Sequence, residues 1–164
     1  MKYTSTDRLC DFEFHDADFT LDVHDGWKLG VWADHLNIHA DAQQNPFDTD
    51  MEIDRAYIIF ENFNLISYGP GRTWKQNENG ELYTDEPQIT HHGDEALKHF
   101  TEQLTHSVWV YDFDITSDNM YFIDGSAIEP FFTAYFTFDK ITIEWDDYRQ
   151  QAWYVIMKNE QNTK

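Results

Sequence analysis

The sequence predicts a mainly β, α+β domain: an antiparallel sandwich or partly closed barrel of about eight or nine strands, with one packed helix near residues 94–106. Three observations carry this. Apolar and polar residues alternate with period two along most of the chain. Only one stretch has a clear helical stripe, Leu97, Phe100 and Leu104. Strand and helix patterns do not alternate, which argues against a parallel α/β sheet.

The elements follow in order. Residues 11–15 and 17–23 read as strands, the second with Phe19, Leu21 and Val23 facing one way. Asp25-Gly26 is a hairpin signal of the type I′ class. Residues 27–37 continue with Leu29, Val31 and Ala33 on one face, and residues 40–50, with Pro46, read as a loop. Residues 56–60 and 63–68 are strands, ended by Gly69-Pro70-Gly71. The polar stretch 72–88 reads as a long loop or exposed hairpin centred on Asn79-Gly80. A helix capped near Asp94 then runs to His106-Ser107. Residues 108–115, 120–123, 128–138, 141–145 and 153–157 read as strands. Asp124-Gly125 is assigned to a turn and 146–151 to a loop. The polar tail 159–164 is expected to fray.

Length and composition support one folded domain over residues 1–164. A chain of this size buries roughly 70% of its unfolded surface. Aromatics make up 17% of the residues, so large rings should build the core. The single cysteine, Cys10, forms no internal disulfide, which fits a reducing compartment. The N-terminal residues show no signal-peptide pattern, and no apolar run approaches the 18 or so residues of a membrane span. The expected location is the cytoplasm.

Charge is the most informative bulk property. There are 31 acidic and 11 basic residues, a formal net charge of −20. Such a surface repels nucleic acid and anionic membrane. It steers basic proteins and cations towards itself. The charge also serves solubility.

Several residues are candidates for function. In Phe14-His15-Asp16, a histidine beside a carboxylate has the chemistry of an oriented base or ligand, while a turn explains the same residues. Asp48, Asp50, Glu52 and Asp54 alternate, so in a strand their carboxylates would line one face and suit a basic partner. Trp74 and Tyr83 lie in the polar stretch and could anchor an interface. His35 and His39 would lie about 13 Å apart in a strand, too far for one metal. His91 and His92 offer further ligands, which helix capping also explains. No zinc, calcium-loop, phosphate-loop or hydrolase-elbow motif is complete. The sequence therefore assigns no catalytic residue, metal or cofactor.

The segment Asp11-Phe12-Glu13-Phe14-His15-Asp16-Ala17 resembles the "FHDA/FHDS" opening of several small bacterial families, some assigned as immunity proteins of polymorphic toxin systems. Ile143-Glu144-Trp145 resembles their late Ile-Glu-Trp-like strand. The resemblance implies a binder rather than an enzyme.

Three functions remain open from sequence. The first is a non-enzymatic interaction module with an acidic face for a basic partner, of the immunity-inhibitor type. The second is a small-molecule binder with an aromatic-lined pocket, and the third a metal-dependent enzyme.

Overall fold

A computed structural model describes residues 1–162. The elements are β1 (Tyr3–Thr6), a 3-10 turn (Leu9–Asp11), β2 (Phe12–Glu13), β3 (Asp18–His24), β4 (Lys28–Asp34) and β5 (Asn37–Ile38). Next come β6 (Met51–Ile53), β7 (Ala56–Glu61), β8 (Asn64–Pro70), β9 (Lys75–Gln76), β10 (Leu82–Tyr83) and helix α1 (Gly93–Thr105). The chain continues through β11 (Val108–Ile115), β12 (Tyr121–Ser126), β13 (Phe132–Thr137), β14 (Lys140–Trp145) and β15 (Tyr148–Gln151) to helix α2 (Trp153–Asn162).

Mainly β architecture is what the alternation predicts. Nine strands form one antiparallel sheet in the order β1-β14-β7-β4-β3-β11-β12-β13-β8, which does not close into a barrel. A smaller sheet, β15-β6-β5-β2, lies beside it, and β9 and β10 form a separate hairpin. The large sheet curls, so strands far apart in its order face each other. The Phe60 ring on β7 lies 6.5 Å from Phe113 on β11 and 6.0 Å from Phe136 on β13. Helix α1 completes this core, setting Phe100 parallel to Phe63 at 6.1 Å. Its buried stripe holds Ala96, Phe100 and Leu104, with Leu97 half-buried.

Several local expectations change. The N-cap of α1 is His92, and Asp94 lies inside the first turn. At Asp25-Gly26 only Gly26 has positive φ (93°), the pattern of a type II′ turn rather than I′. Asp124-Gly125 is no turn: both residues lie within β12. A Cβ on Gly125 would sit 2.7 Å from the Val108 side chain, so close packing rather than a bend requires glycine there. The chain reverses instead around Pro130, between β12 and β13.

The C-terminal differences are larger. Residues 148–151, read as a loop, form β15 against β6. Residues 153–157, read as a strand, begin α2. A short apolar run does not distinguish strand from helix by period alone. Here the fully buried Ala152 decides it: its carbonyl accepts from Val155 and Ile156, and its amide donates to Asp50. Asn159 to Asn162 of the expected frayed tail are helical, and residues 163–164 lie outside the described residues.

Phe60 tests the core. Phe60→Ala should cost about 3–5 kcal/mol, because neighbours on separate strands cannot collapse into the space left. Urea unfolding of the purified variant measures this.

Candidate functional site

The Phe14-His15-Asp16-Ala17 motif forms a tight turn. The Ala17 amide donates to the Phe14 carbonyl at 3.0 Å, and Asp16 takes φ of 69°. The turn is stitched to β11: the Asp16 amide donates to Val110, and the Val110 amide donates to Ala17. Phe14 is buried, its ring 4.6 Å from that of Phe113. His15 points out and donates from Nδ1 to the Tyr111 carbonyl at 2.7 Å. That bond fixes the tautomer, since a carbonyl only accepts. Asp16 Oδ1 accepts from the Trp109 indole at 3.1 Å and lies 3.5 Å from His15 Nε2.

The turn forms one wall of a cleft of about 330 Å³, lined by Asp16, Asp18, His35, Glu52, Trp109, Arg149, Gln150 and Trp153. Three separate parts of the fold meet here. The small sheet supplies Glu52 on β6, with Arg149 and Gln150 on β15. The outer face of β11 supplies Trp109, and the first turn of α2 supplies Trp153. His35 follows the end of β4 with φ of 60°. Two non-glycine residues at positive φ thus border one cleft, a placement that the surrounding bonds must enforce.

The four alternating carboxylates do not form one exposed row, because only Met51–Ile53 of that stretch is a strand. Asp48 is exposed in a bend. Asp50 is a structural clasp: it accepts from the Ala40 amide at 2.7 Å, the Tyr154 hydroxyl at 2.8 Å and His39 Nδ1 at 3.2 Å. Burial pushes its pKa up, but these donors outweigh burial and hold it below the usual carboxylate value. Glu52 is buried and accepts from His35 Nδ1 at 2.8 Å, Gln150 at 2.8 Å and Arg149 at 3.2 Å. Exposed Asp54 takes the other side of the Arg149 guanidinium, at 3.2 Å.

Arg149 is therefore already neutralised, and the remaining carboxylates of the cleft carry excess negative charge. Asp18 is the sharpest case. It is half-buried and, among the described residues, its carboxylate has no hydrogen-bond or ion-pair partner. Burial raises its pKa; His35 opposes this, while the Asp34 and Asp16 charges add to it. Trp109 and Trp153, which line the same cleft, stand 48% and 40% exposed. Tyr111 extends the aromatic face, stacked on Phe131 at 6.2 Å.

Trp74 and Tyr83 sit elsewhere, Trp74 just before β9 and Tyr83 on β10, both exposed. Arg72 lies over the Trp74 ring at 5.1 Å. Pattern in the sequence gives Asp18, Trp109, Arg149 and Trp153 no role, because sheet pairing and the docking of α2 together bring them to one cleft. Alternation within 108–115 groups Trp109, Tyr111, Phe113 and Ile115, but a bulge between Val110 and Asp112 turns Phe113 into the core and leaves Trp109 and Tyr111 outside.

No family model, curated protein or solved structure matches the chain. Among the described residues no helix is long and apolar enough to cross a membrane.

Asp18 and Asp50 should respond oppositely to neutralisation. A carboxyl whose folded pKa is raised opposes folding when ionised, so Asp18→Asn should raise the melting temperature at neutral pH. That gain should vanish below the ordinary carboxylate range, near pH 3.9 and lower, where Asp18 is protonated in both states. Asp50→Asn should lose about 1–3 kcal/mol at neutral pH. Its deficit should shrink as pH falls through the lowered pKa, where the wild-type clasp is itself lost. Thermal melts of both variants across pH check the signs.

Proposed function

We propose that this protein is a non-enzymatic interaction module that binds a basic protein, and that the Asp16–Asp18–Trp109–Trp153 cleft receives a lysine or arginine side chain from that partner. One observation carries the reading: the partnerless, half-buried Asp18 carboxylate lies in a cleft bordered by two exposed tryptophans. An incoming guanidinium or ammonium would relieve the charge on Asp18 and stack on the indoles, a favourable site for a cation once water is excluded. Exposed aromatics near a polar rim are the usual energetic centre of a protein interface. The net charge of −20 would accelerate encounter with such a partner.

The finer reading is an immunity-type inhibitor acting in the cytoplasm. It is supported by the resemblance of the Asp11–Ala17 segment, whose turn forms one wall of this cleft. Asp54 would extend the acidic rim, whereas Asp50 and Glu52 would shape the site from within.

A second reading, a small-molecule binder, is favoured by a half-open groove of about 560 Å³ near Phe12, Phe14, Phe113, Tyr121 and Phe138. The void inside the main core measures only about 10 Å³, too little for a ligand. Ligand recovered from the purified protein by mass spectrometry would favour this reading.

The interaction reading is tested by capture from the native host's lysate at low and high salt. A basic protein released by salt is expected. Trp109→Ala should weaken its binding by about 2 kcal/mol or more, roughly 30-fold. Asp18→Lys should abolish it. Unchanged affinity in both folded variants would remove the cleft as the docking site.

A further inference from the structure

Away from that cleft, three side chains at the start of α1 converge. His91, Glu95 and His99 each offer a ligand atom, and these atoms lie within 4.8 Å of one another. We propose that this cluster binds a first-row transition ion of the zinc type, with a fourth coordination position open to solvent.

The placement follows from backbone geometry. Glu95 and His99 are four residues apart within α1, so they share one face of the helix. His91 precedes the helix and comes to the same face from the sheet. Its amide donates to the Tyr68 carbonyl at 2.8 Å, and its carbonyl accepts from the Tyr68 amide at 3.1 Å. This bridge to β8 clamps one ligand while the helix presents the other two. The His91 and His99 rings lie 4.4 Å apart, and His91 Nδ1 is 3.2 Å from Glu95 Oε2. The Tyr68 ring, fully buried, stacks on His99 at 5.6 Å and 10°, giving that imidazole a fixed wall. His92 is engaged elsewhere, donating from Nδ1 to the Ile66 carbonyl.

The donor set selects the ion. Two neutral imidazoles and one carboxylate suit zinc and its first-row neighbours, whereas calcium and magnesium require oxygen ligands. Tetrahedral zinc with bonds of about 2.0–2.1 Å needs the ligand atoms closer than 4.8 Å, so the bound ion would draw the three side chains together. Three protein ligands leave one position open, and the exposed Glu95 keeps that side accessible to water. No complete zinc motif marks these residues in the sequence, because His91 precedes the helix and only its bridge to Tyr68 sets it beside the helical pair Glu95 and His99.

The test uses the full chain, purified without a histidine tag. Calorimetric titration with Zn²⁺ should show one ion per chain, with a higher melting temperature. Co²⁺ should give the visible absorption of a four-coordinate nitrogen and oxygen site. Ca²⁺ and Mg²⁺ should give no shift. Glu95→Gln alters an exposed side chain and should retain the fold, yet weaken Zn²⁺ beyond the roughly 10–100-fold typical of losing an outer partner. His99→Ala should abolish the cobalt spectrum, with circular dichroism confirming its fold. The proposal is overturned by absence of stoichiometric Zn²⁺ binding to the wild type. It is equally overturned by a Ca²⁺ shift equal to that of Zn²⁺, or by unchanged Zn²⁺ affinity in Glu95→Gln and His99→Ala.

Discussion

The stacking of phenylalanine rings across the curled sheet is the constraint on which the rest depends. Phe60 on β7 reaches Phe113 on β11 and Phe136 on β13, strands that the sheet order separates widely. Burying each such ring removes on the order of 150–250 Å² from water. The curl also brings α1 over one end through Phe63 and Phe100. Without it the outer face of β11 would not stand where Trp109 can meet the small sheet and α2. The acidic cleft is thus a by-product of core packing on the opposite side of the same strand.

Two carboxylates show how placement sets the role of a charge. Asp50 is surrounded by donors, and its ionised form closes the loop between β5 and β6 and ties down α2 through Tyr154. Asp18 is desolvated without such donors and faces like charges. The first serves the fold, while the second is stored electrostatic tension in a concave, aromatic-walled place. Both are aspartates in an acid-rich N-terminal third, and composition treats them alike.

Much of the fold is legible in the sequence because alternation is local. The strands at 18–24 and 108–115 and helix α1 follow from period, and the strand at 56–61 from a short apolar run rich in β-formers. What escapes the sequence depends on long-range pairing. β15 is a strand because β6 is beside it, and α2 is a helix because Ala152 is anchored by Asp50. The site divides the same way. The turn at Phe14–Ala17 is visible as a motif, and Glu52 and Asp54 as acids, but the strict alternation of 48–54 misleads because the strand spans only Met51–Ile53. Asp18 and Trp109 lie far along the chain from each other and from Arg149 and Trp153, and only tertiary packing brings them to one cleft.

The bridge between Tyr68 and His91 has a consequence for colloidal behaviour. β8 ends the nine-stranded sheet, and a bare terminal strand is a template on which another chain can add. The His91 segment occupies part of that template with two backbone bonds, and the helix that follows packs over it. Anything that fastens this strap keeps the molecule from growing edge to edge. Anything that loosens it opens a zipper, against which only the mutual repulsion of highly acidic chains would then stand.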